Sequence, residues 1–327
     1  MIAAVFLSGL ACGQEPELSA RKAVERTLEF LEKDALRWKE DPRPKKGGCA
    51  TCHHGSLTIW ALSEAKFQGY EVHENNLAEL AAWTKERFIP ASDQSPNTVK
   101  GHLGAAYLAM MARALPRQEV VSRDELTRIS EYFARSQEAD GSWYFPPLAV
   151  ARPPLFESRE EVALLCYLAL GSPDPKTAPA RDKATAWLGK TKPGDTTQAA
   201  VLRLFVRLRP DRPSTELQPE IDQVMARQNG DGGWSQLKGL SSDAYATGQA
   251  LYALGVAGAD RDRPEIQRAV SFLVAAQRPD GTWPMMPRAH PGGKPNKINA
   301  PLDYLGSAWA TLGLLRSIPP PRSAENR

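Results

Sequence analysis

Two kinds of helical segment alternate along the chain. Charged segments such as residues 215–227 keep one apolar stripe at a period near 3.6 residues, which is typical of a helix with one solvent-facing side. Segments such as residues 244–254 carry Ala, Gly, Thr and Leu around the whole circumference, as a helix buried on several sides requires. Almost no stretch alternates at the period of two that a strand needs, so the pattern predicts an all-α protein.

The alternation repeats six times and predicts six helix pairs. We expect outer, charged helices over residues 18–38, 75–88, 122–138, 180–189, 214–228 and 264–277. We expect inner, small-residue helices over residues 55–68, 98–113, 159–170, 196–208, 242–256 and 302–316. Six buried helices inside six half-exposed ones close into an α6/α6 toroid with a central hollow, over residues 14–317, before a disordered tail at 318–327.

A seven-residue motif follows three of the outer segments. It consists of glutamine, three residues, glycine, one residue and tryptophan, and it occurs at residues 137–143, 228–234 and 277–283. The glutamines are separated by 91 and then 49 residues, which fits two repeats and one repeat of roughly 45–50 residues. We interpret the motif as structural, because the amide can bind backbone at the start of the next helix while the indole packs between repeats.

Polar residues stand where the inner helices begin, and these helix starts should meet at one mouth of the barrel. Ser158 before an inner helix, like Ser122 before an outer one, precedes a glutamate by three residues, which predicts capping boxes. Asp195 and either Ser241 or Ser242 are the expected caps of two later inner helices.

Composition narrows the class of protein. The 327 residues carry a net charge of +3 without any Lys/Arg run, which argues against nucleic-acid binding.

Residues 2–10 are apolar and precede Ala-Cys-Gly, so residues 1–13 predict a secretion signal and an exported or periplasmic protein. A merely apolar N-terminal end is the alternative, and a lipidated Cys12 fits poorly after Gly9 and Leu10. No other segment reaches the roughly 18 apolar residues of a transmembrane helix.

The Q-x-x-x-G-x-W motif is the QW motif of the squalene/oxidosqualene cyclase and protein prenyltransferase superfamily. From about residue 18 to 316 the chain resembles one α6/α6 toroid of that superfamily. It also resembles exported bacterial proteins with prenyltransferase/squalene-oxidase repeats, which combine the segments found here at residues 49–54, 242–254 and 281–288. The resemblance implies a hydrophobic or isoprenoid-like small-molecule ligand.

The catalytic residues of that superfamily carry over only in part. Squalene-type cyclases use the middle aspartate of D-x-D-D as their acid, and this sequence has no such stretch; Asp243 begins a comparable helix alone. Prenyltransferases bind zinc through an Asp, a nearby Cys and a later His. In this chain Asp243 matches the Asp, Tyr245 stands where the Cys is expected, and no His follows residues 303–305. We expect Asp243, Tyr245 and Asp303 to bind or protonate a ligand at the mouth, with helix capping as the alternative.

The most specific chemical signal is C-x-x-C-H at residues 49–53. In c-type haem attachment, Cys49 and Cys52 would form thioethers and His53 would bind iron, and export is consistent with that chemistry. A zinc or other metal site that adds His54, or a disulfide or bare thiols, are the alternatives. A thioester is excluded because Cys52 stands where complement-type toroids need glutamine. Candidate sixth iron ligands are Met285, Met286, His290, His102 and His54.

Three functions follow from this reading. The first is an exported cyclase- or prenyltransferase-like toroid with a hydrophobic cavity and a haem c or metal centre at its mouth. The second is a non-catalytic ligand- or protein-binding scaffold of the same fold. The third is an isoprenoid cyclase or transferase with a non-standard acid. The basic, Gly/Pro-rich loop at residues 284–299 is either a lid over the cavity or a solvated connection.

Overall fold

A computed structural model describes residues 9–41, 51–90, 99–115, 117–144, 158–171, 174–208, 214–285 and 299–321. The helices are α1 (Gly9–Glu40), α2 (Thr58–Phe67), α3 (Glu74–Phe88), α4 (Val99–Ala114), α5 (Arg123–Arg135), α6 (Arg159–Ala169), α7 (Ala178–Leu188), α8 (Thr197–Arg207), α9 (Gln218–Met225), α10 (Ala244–Val256), α11 (Pro264–Ala276) and α12 (Asn299–Ser317). These bounds lie close to the twelve predicted segments; the largest difference is α1, which begins at Gly9 and runs through the expected signal cleavage site.

The even-numbered helices form a closed inner ring. The turn at residues 52–57 that leads into α2 packs against α4, and the contacts continue in the order α4, α6, α8, α10 and α12, which returns to α2. The odd-numbered helices surround this ring, and α1 contacts both α3 and α11. Among the described residues an isolated bridge between Gln228 and Trp234 is the only β-type pairing. The predicted all-α, α6/α6 toroid is therefore confirmed.

The inner helices run parallel, so like ends meet. At their C-terminal ends, Arg316 of α12 binds Glu64 of α2 and donates to the carbonyl of Ala114 of α4. At their N-terminal ends, Thr196 before α8 donates to the Glu161 carboxylate of α6. The sequence-predicted mouth is thus one end of the barrel.

The three QW motifs join consecutive outer helices by the same bonds. Each indole donates to a carbonyl ten residues earlier: Trp143 to Phe133 at 2.8 Å, Trp234 to Val224 at 2.7 Å and Trp283 to Leu273 at 2.7 Å. Each glutamine amide donates to the next outer helix: Gln137 to Ala180 O at 2.8 Å, Gln228 to Glu265 O at 2.7 Å and Gln277 to Ala23 O at 2.9 Å. Since Ala23 belongs to α1, the third motif closes the ring. The structural interpretation of the motif is confirmed.

The motif glycines are required by conformation and by space. Gly141, Gly232 and Gly281 have φ angles of 92°, 89° and 83°, a region that other residues rarely adopt. A Cβ atom at these positions would lie 2.4, 2.9 and 2.8 Å from a carbonyl oxygen of the neighbouring outer helix. Any side chain there would therefore push that helix away.

Two predicted helix caps are wrong, and both are displaced by one or two residues. Helix α8 is capped by Thr196, whose hydroxyl accepts from Ala199 N–H, while Asp195 is exposed. Helix α10 is capped by Asp243, since the preceding Ser242 is bound to the QW turn through Asp231. The capping box at Ser122 is confirmed.

Aromatic side chains from the inner helices pack together inside the barrel. Trp60, Tyr107, Phe205, Tyr252 and Trp309 come from five inner helices, and we call them the aromatic core. The Trp60 ring centroid lies 5.3 Å from that of Tyr252 and 5.4 Å from that of Trp309, both nearly edge-to-face.

Every helix in the described residues is too short or too polar to cross a lipid bilayer.

Helices α10 and α12 touch through their backbones. Gly248 and Gly255 on α10, and Gly306 and Gly313 on α12, each stand seven residues apart, two turns along one helix face. A Cβ atom at Gly248 would lie 2.3 Å from the Trp309 backbone, and one at Gly313 would lie 2.7 Å from Gly248 O. The close approach thus depends on the absence of side chains.

Gly248→Ala should destabilise the protein strongly, because its methyl group meets rigid backbone of α12. We expect the free energy of unfolding in urea to fall by about 3 kcal/mol or more. Gly230→Ala is the control, since a Cβ atom there has no neighbour within 4 Å; it should change stability by less than about 0.5 kcal/mol. Equal stability of both variants would contradict the contact.

Candidate functional site

The described part of the C-x-x-C-H-H segment begins the inner ring at the mouth. Residues Cys52–Leu57 form a π-helical turn that leads directly into α2. Thr51 caps it by accepting from His54 N–H at 3.1 Å. Single π-helical turns are rare and are frequent at functional sites. Cys49 lies outside the described residues.

His54 anchors this segment to α1. Its Nε2 lies 3.2 Å from Asp34 Oδ2, its Nδ1 lies 3.2 Å from Thr51 Oγ1, and its ring stacks on Trp38 at 4.4 Å. A carboxylate only accepts, so Nε2 carries the proton and Nδ1 accepts from Thr51. Burial, opposed by Asp34, lowers the pKa of His54 below its ordinary value, which favours the neutral ring. Both nitrogens already have partners, so a role as metal ligand requires His54 to leave them.

Cys52 and His53 present different environments to a cofactor. The Cys52 side chain is buried against the hydrophobic core, whereas His53 is half-buried, and Cys52 Sγ lies 3.8 Å from His53 Nδ1. Within the described residues no three His, Cys, Asp or Glu side chains are grouped as metal ligands. Cys166, on α6, is fully buried, and burial raises the pKa of its thiol well above the ordinary value.

Asp243 lies at the mouth as the cap of α10. Its Oδ1 accepts from Ala246 N–H at 2.9 Å and its Oδ2 from the Gln236 amide at 3.0 Å. Loss of hydration raises the pKa of Asp243 to about 6, although these two hydrogen bonds favour the carboxylate. The group can therefore exchange a proton near neutral pH while it holds the helix.

The two remaining predicted residues differ from each other. Asp303 is half-buried, accepts from Arg278 Nη1 at 2.8 Å and from Met285 N–H at 2.6 Å, and so ties α12 to the third QW turn. Tyr245 is 1% exposed on α10, so its side chain is buried in the protein. Their roles toward a ligand stay predictions.

The candidate sixth ligands are only partly described. The buried Met285 side chain packs next to Gly306, where its Sδ would lie 3.4 Å from an added Cβ. Met286 and His290 lie outside the described residues, as does the side chain of His102.

Glu161 is a functional candidate that the sequence reading treated only as a capping residue. It stands in the first turn of α6, is 0% exposed, and accepts from the Thr196 hydroxyl. Its neighbour Glu160 is neutralised by Arg203, with both bonds at 2.8 Å. Burial raises the pKa of Glu161 to about 7. In the sequence, the apolar run that follows Glu161 is the signal that could have indicated its burial.

Four buried polar atoms in the barrel lack partners. They are Tyr107 Oη, Tyr245 Oη, Gln249 Oε1 and Trp309 Nε1, which we call the polar barrel cluster. Tyr107 lies near Trp309 and Tyr245 near Gln249, but none of the four atoms has a partner in good hydrogen-bond geometry among the described residues. Each of the four side chains is at most 2% exposed. A buried polar group without a good hydrogen bond costs up to about 1–3 kcal/mol. Such a cost is typical of a site that binds a ligand.

Comparison with known proteins shows which family the chain resembles. Residues 164–324, close to half of the chain, match the squalene-hopene cyclase C-terminal domain. A squalene–hopene cyclase of Zymomonas mobilis is 33% identical over 110 residues, which are 31% of this chain and 15% of that protein. These matches support a squalene cyclase-like superfamily for the chain. A drimenyl diphosphate synthase of Streptomyces showdoensis is 36% identical over 67 residues, 20% of this chain and 13% of that protein. The matches thus span only a small part of these relatives.

Solved structures of other proteins share the fold. A type II terpene cyclase from Scytonema, in complex with geranylgeranyl dihydroxybenzoate, has a TM-score of 0.56 at 13% identity, covering 93% of this chain and 99% of the other. A polysaccharide lyase reaches the same TM-score at 12% identity, covering 90% of this chain and 96% of the other. The similarity at this identity concerns the fold alone, so the site must indicate the ligand.

A surface groove lined by Gln267, Arg268 and Phe272 contains none of the predicted site residues.

Glu161 should make stability depend on pH. Because the carboxyl pKa is raised, the folded state binds the proton of Glu161 more tightly than the unfolded state does. The stability that this bound proton contributes is complete below the unfolded pKa near 4.5 and is lost as the pH rises to about 7. Over that range, the free energy of unfolding of the wild type relative to Glu161→Gln should fall by about 3 kcal/mol. Urea titrations at several pH values measure it. Glu71→Gln, at an exposed surface position, is the control; a constant difference for Glu161→Gln would contradict the buried acid.

Proposed function

We propose that the protein binds a mainly apolar, isoprenoid-like small molecule inside the barrel, at the end where the inner helices begin. The polar barrel cluster beside the aromatic core carries the proposal. Aromatic rings accept an apolar or unsaturated chain, and unpaired polar atoms fix its orientation. The Scytonema terpene cyclase of the same fold was studied with a molecule that joins a geranylgeranyl chain to a polar ring.

Two carboxyl groups support the alternative of an isoprenoid cyclase with a non-standard acid. An acid that donates a proton to an alkene must be protonated at the working pH, and burial raises the pKa of Glu161 to about 7 and that of Asp243 to about 6. Glu161 is the better candidate donor, because its higher pKa keeps a larger fraction of it protonated near neutral pH.

Tryptophan fluorescence tests where the ligand binds. Titration with geranylgeraniol should quench the emission saturably, because Trp60 and Trp309 lie in the aromatic core. Trp309→Phe should lose a large part of that quenching, whereas Trp83→Phe, on the outer helix α3, should retain it. Equal quenching in both variants would place the ligand outside the barrel. The absence of binding would favour the scaffold function, while turnover that is lost in Glu161→Gln would favour the cyclase.

We also propose that residues 49–53 hold haem c or, as the alternative, zinc, in a protein that acts outside the cytoplasm. The proximity of Cys52 Sγ to His53 Nδ1 at the start of an inner helix supports a shared site, and the half-buried His53 can be reached by a ligand. Cys52 fits less well, since a thioether needs space at a sulfur that is packed in the core. Haem would supply a redox centre, and zinc would supply a Lewis acid, beside the barrel mouth.

The cofactor proposal is tested by expression with the haem-attachment machinery. A Soret band that survives acid–acetone extraction would establish haem, and one equivalent of zinc in a colourless product would establish the metal. Cys52→Ala should remove either signal, and Cys166→Ala, which replaces the buried thiol of α6, should keep it. Protein that is colourless and free of metal would refute the proposal.

A further inference from the structure

The polar barrel cluster has a definite hydrogen-bonding character. Two phenols and an indole can donate, and the Gln249 side-chain oxygen can accept. Burial raises the pKa of Tyr107 and of Tyr245 well above the ordinary value, so both phenols keep their protons at any physiological pH. The cluster therefore offers neutral donors and a neutral acceptor.

The four side chains lie near one another. Tyr245 and Gln249 are one turn apart on α10, so they share a face of that helix. The ring centroids of Tyr107 and Trp309 are 6.0 Å apart. Tyr107 also lies close enough to Tyr245 for a phenolate on the first to raise the pKa of the second. Helices α4, α10 and α12 thus direct these groups to one region.

The cations of the inner helices are already bound elsewhere. Those that the structure describes have the following partners: Lys66 with Glu74, Arg159 with Asp140, Arg203 with Glu160, Arg207 with Glu220, Arg316 with Glu64, and Arg113 with the carbonyl of Leu208. A buried phosphate group requires charged partners of this kind. Glu161, near both phenols, would repel an anion whenever it is ionised.

We propose that Tyr107, Tyr245, Gln249 and Trp309 bind the uncharged, oxygen-bearing end of the ligand, a hydroxyl or carbonyl group, while the aromatic core holds its apolar chain. This inference rests on the proposed function and names the ligand class within it. A hydrocarbon would leave the four atoms unpaired, and a diphosphate would bring uncompensated charge into the barrel. An isoprenoid alcohol or ketone meets both conditions.

Matched probes test the ligand class. Equilibrium binding to the full chain is measured for geranylgeraniol, geranylgeranyl diphosphate and a hydrocarbon of equal chain length, under identical detergent conditions. The alcohol should bind at least about tenfold more tightly than the other two, the amount that one net hydrogen bond provides. Tighter binding of the diphosphate or equal binding of the hydrocarbon would overturn the inference but leave the barrel as the binding site. Failure of all three probes to bind would overturn the proposed function itself.

Hydroxyl deletions test the residues. Tyr107→Phe and Tyr245→Phe should each weaken binding of the alcohol about tenfold and leave that of the hydrocarbon unchanged. Tyr70→Phe is the matched control: its buried hydroxyl also lacks a partner among the described residues, but it lies beside the charged groups of α1. Removal of an unpaired hydroxyl should leave the melting temperature unchanged or higher, which separates lost binding from unfolding. Unchanged affinity for the alcohol in both barrel variants would refute the assignment.

Discussion

Three glutamine amides hold the toroid together, because each binds a backbone carbonyl of the following outer helix. Gln137 and Gln228 reach the first turns of α7 and α11, and Gln277 reaches Ala23 in the middle of α1. A linear array of helix pairs exposes an apolar face at each end. The bond from Gln277 to α1 removes both faces by joining the last unit to the first. Ring closure is also what brings the inner helices into parallel register.

Parallel inner helices divide the interior into layers of different chemistry. The C-terminal end is closed by the buried pair of Glu64 and Arg316, whose closest atoms are 2.6 Å apart, with Tyr252 donating to the same carboxylate. Aromatic rings occupy the middle. Tyr245 and Glu161 lie toward the end where the helices begin. A ligand that entered from the mouth would therefore meet polar groups and aromatic rings before the Glu64–Arg316 pair.

The C-x-x-C-H-H segment combines an anchor with a reactive pair. His54 is held between Asp34 and Thr51 and stacks on Trp38, which fixes the start of the inner ring against α1. Cys52 and His53 precede this anchor by two residues and one residue in a π-helical turn. The turn shifts their side chains relative to a regular α-helix, since it contains an additional residue per hydrogen-bonded ring. The two histidines are adjacent in sequence but differ in burial and in partners.

The local sequence pattern determined one part of this structure, and tertiary contacts determined the rest. Helical periodicity, the spacing of the QW motifs and the capping pattern at Ser122 determined the helices, their order and the closed ring, because these depend on neighbours within a few turns or on a repeat. The same local view treated Glu161 as a cap. Only the packed ring decided that Glu161 is desolvated and that Tyr107 and Trp309 face one another across helices. Burial and hydrogen-bond partners arise from residues distant in sequence, so no local pattern contains them.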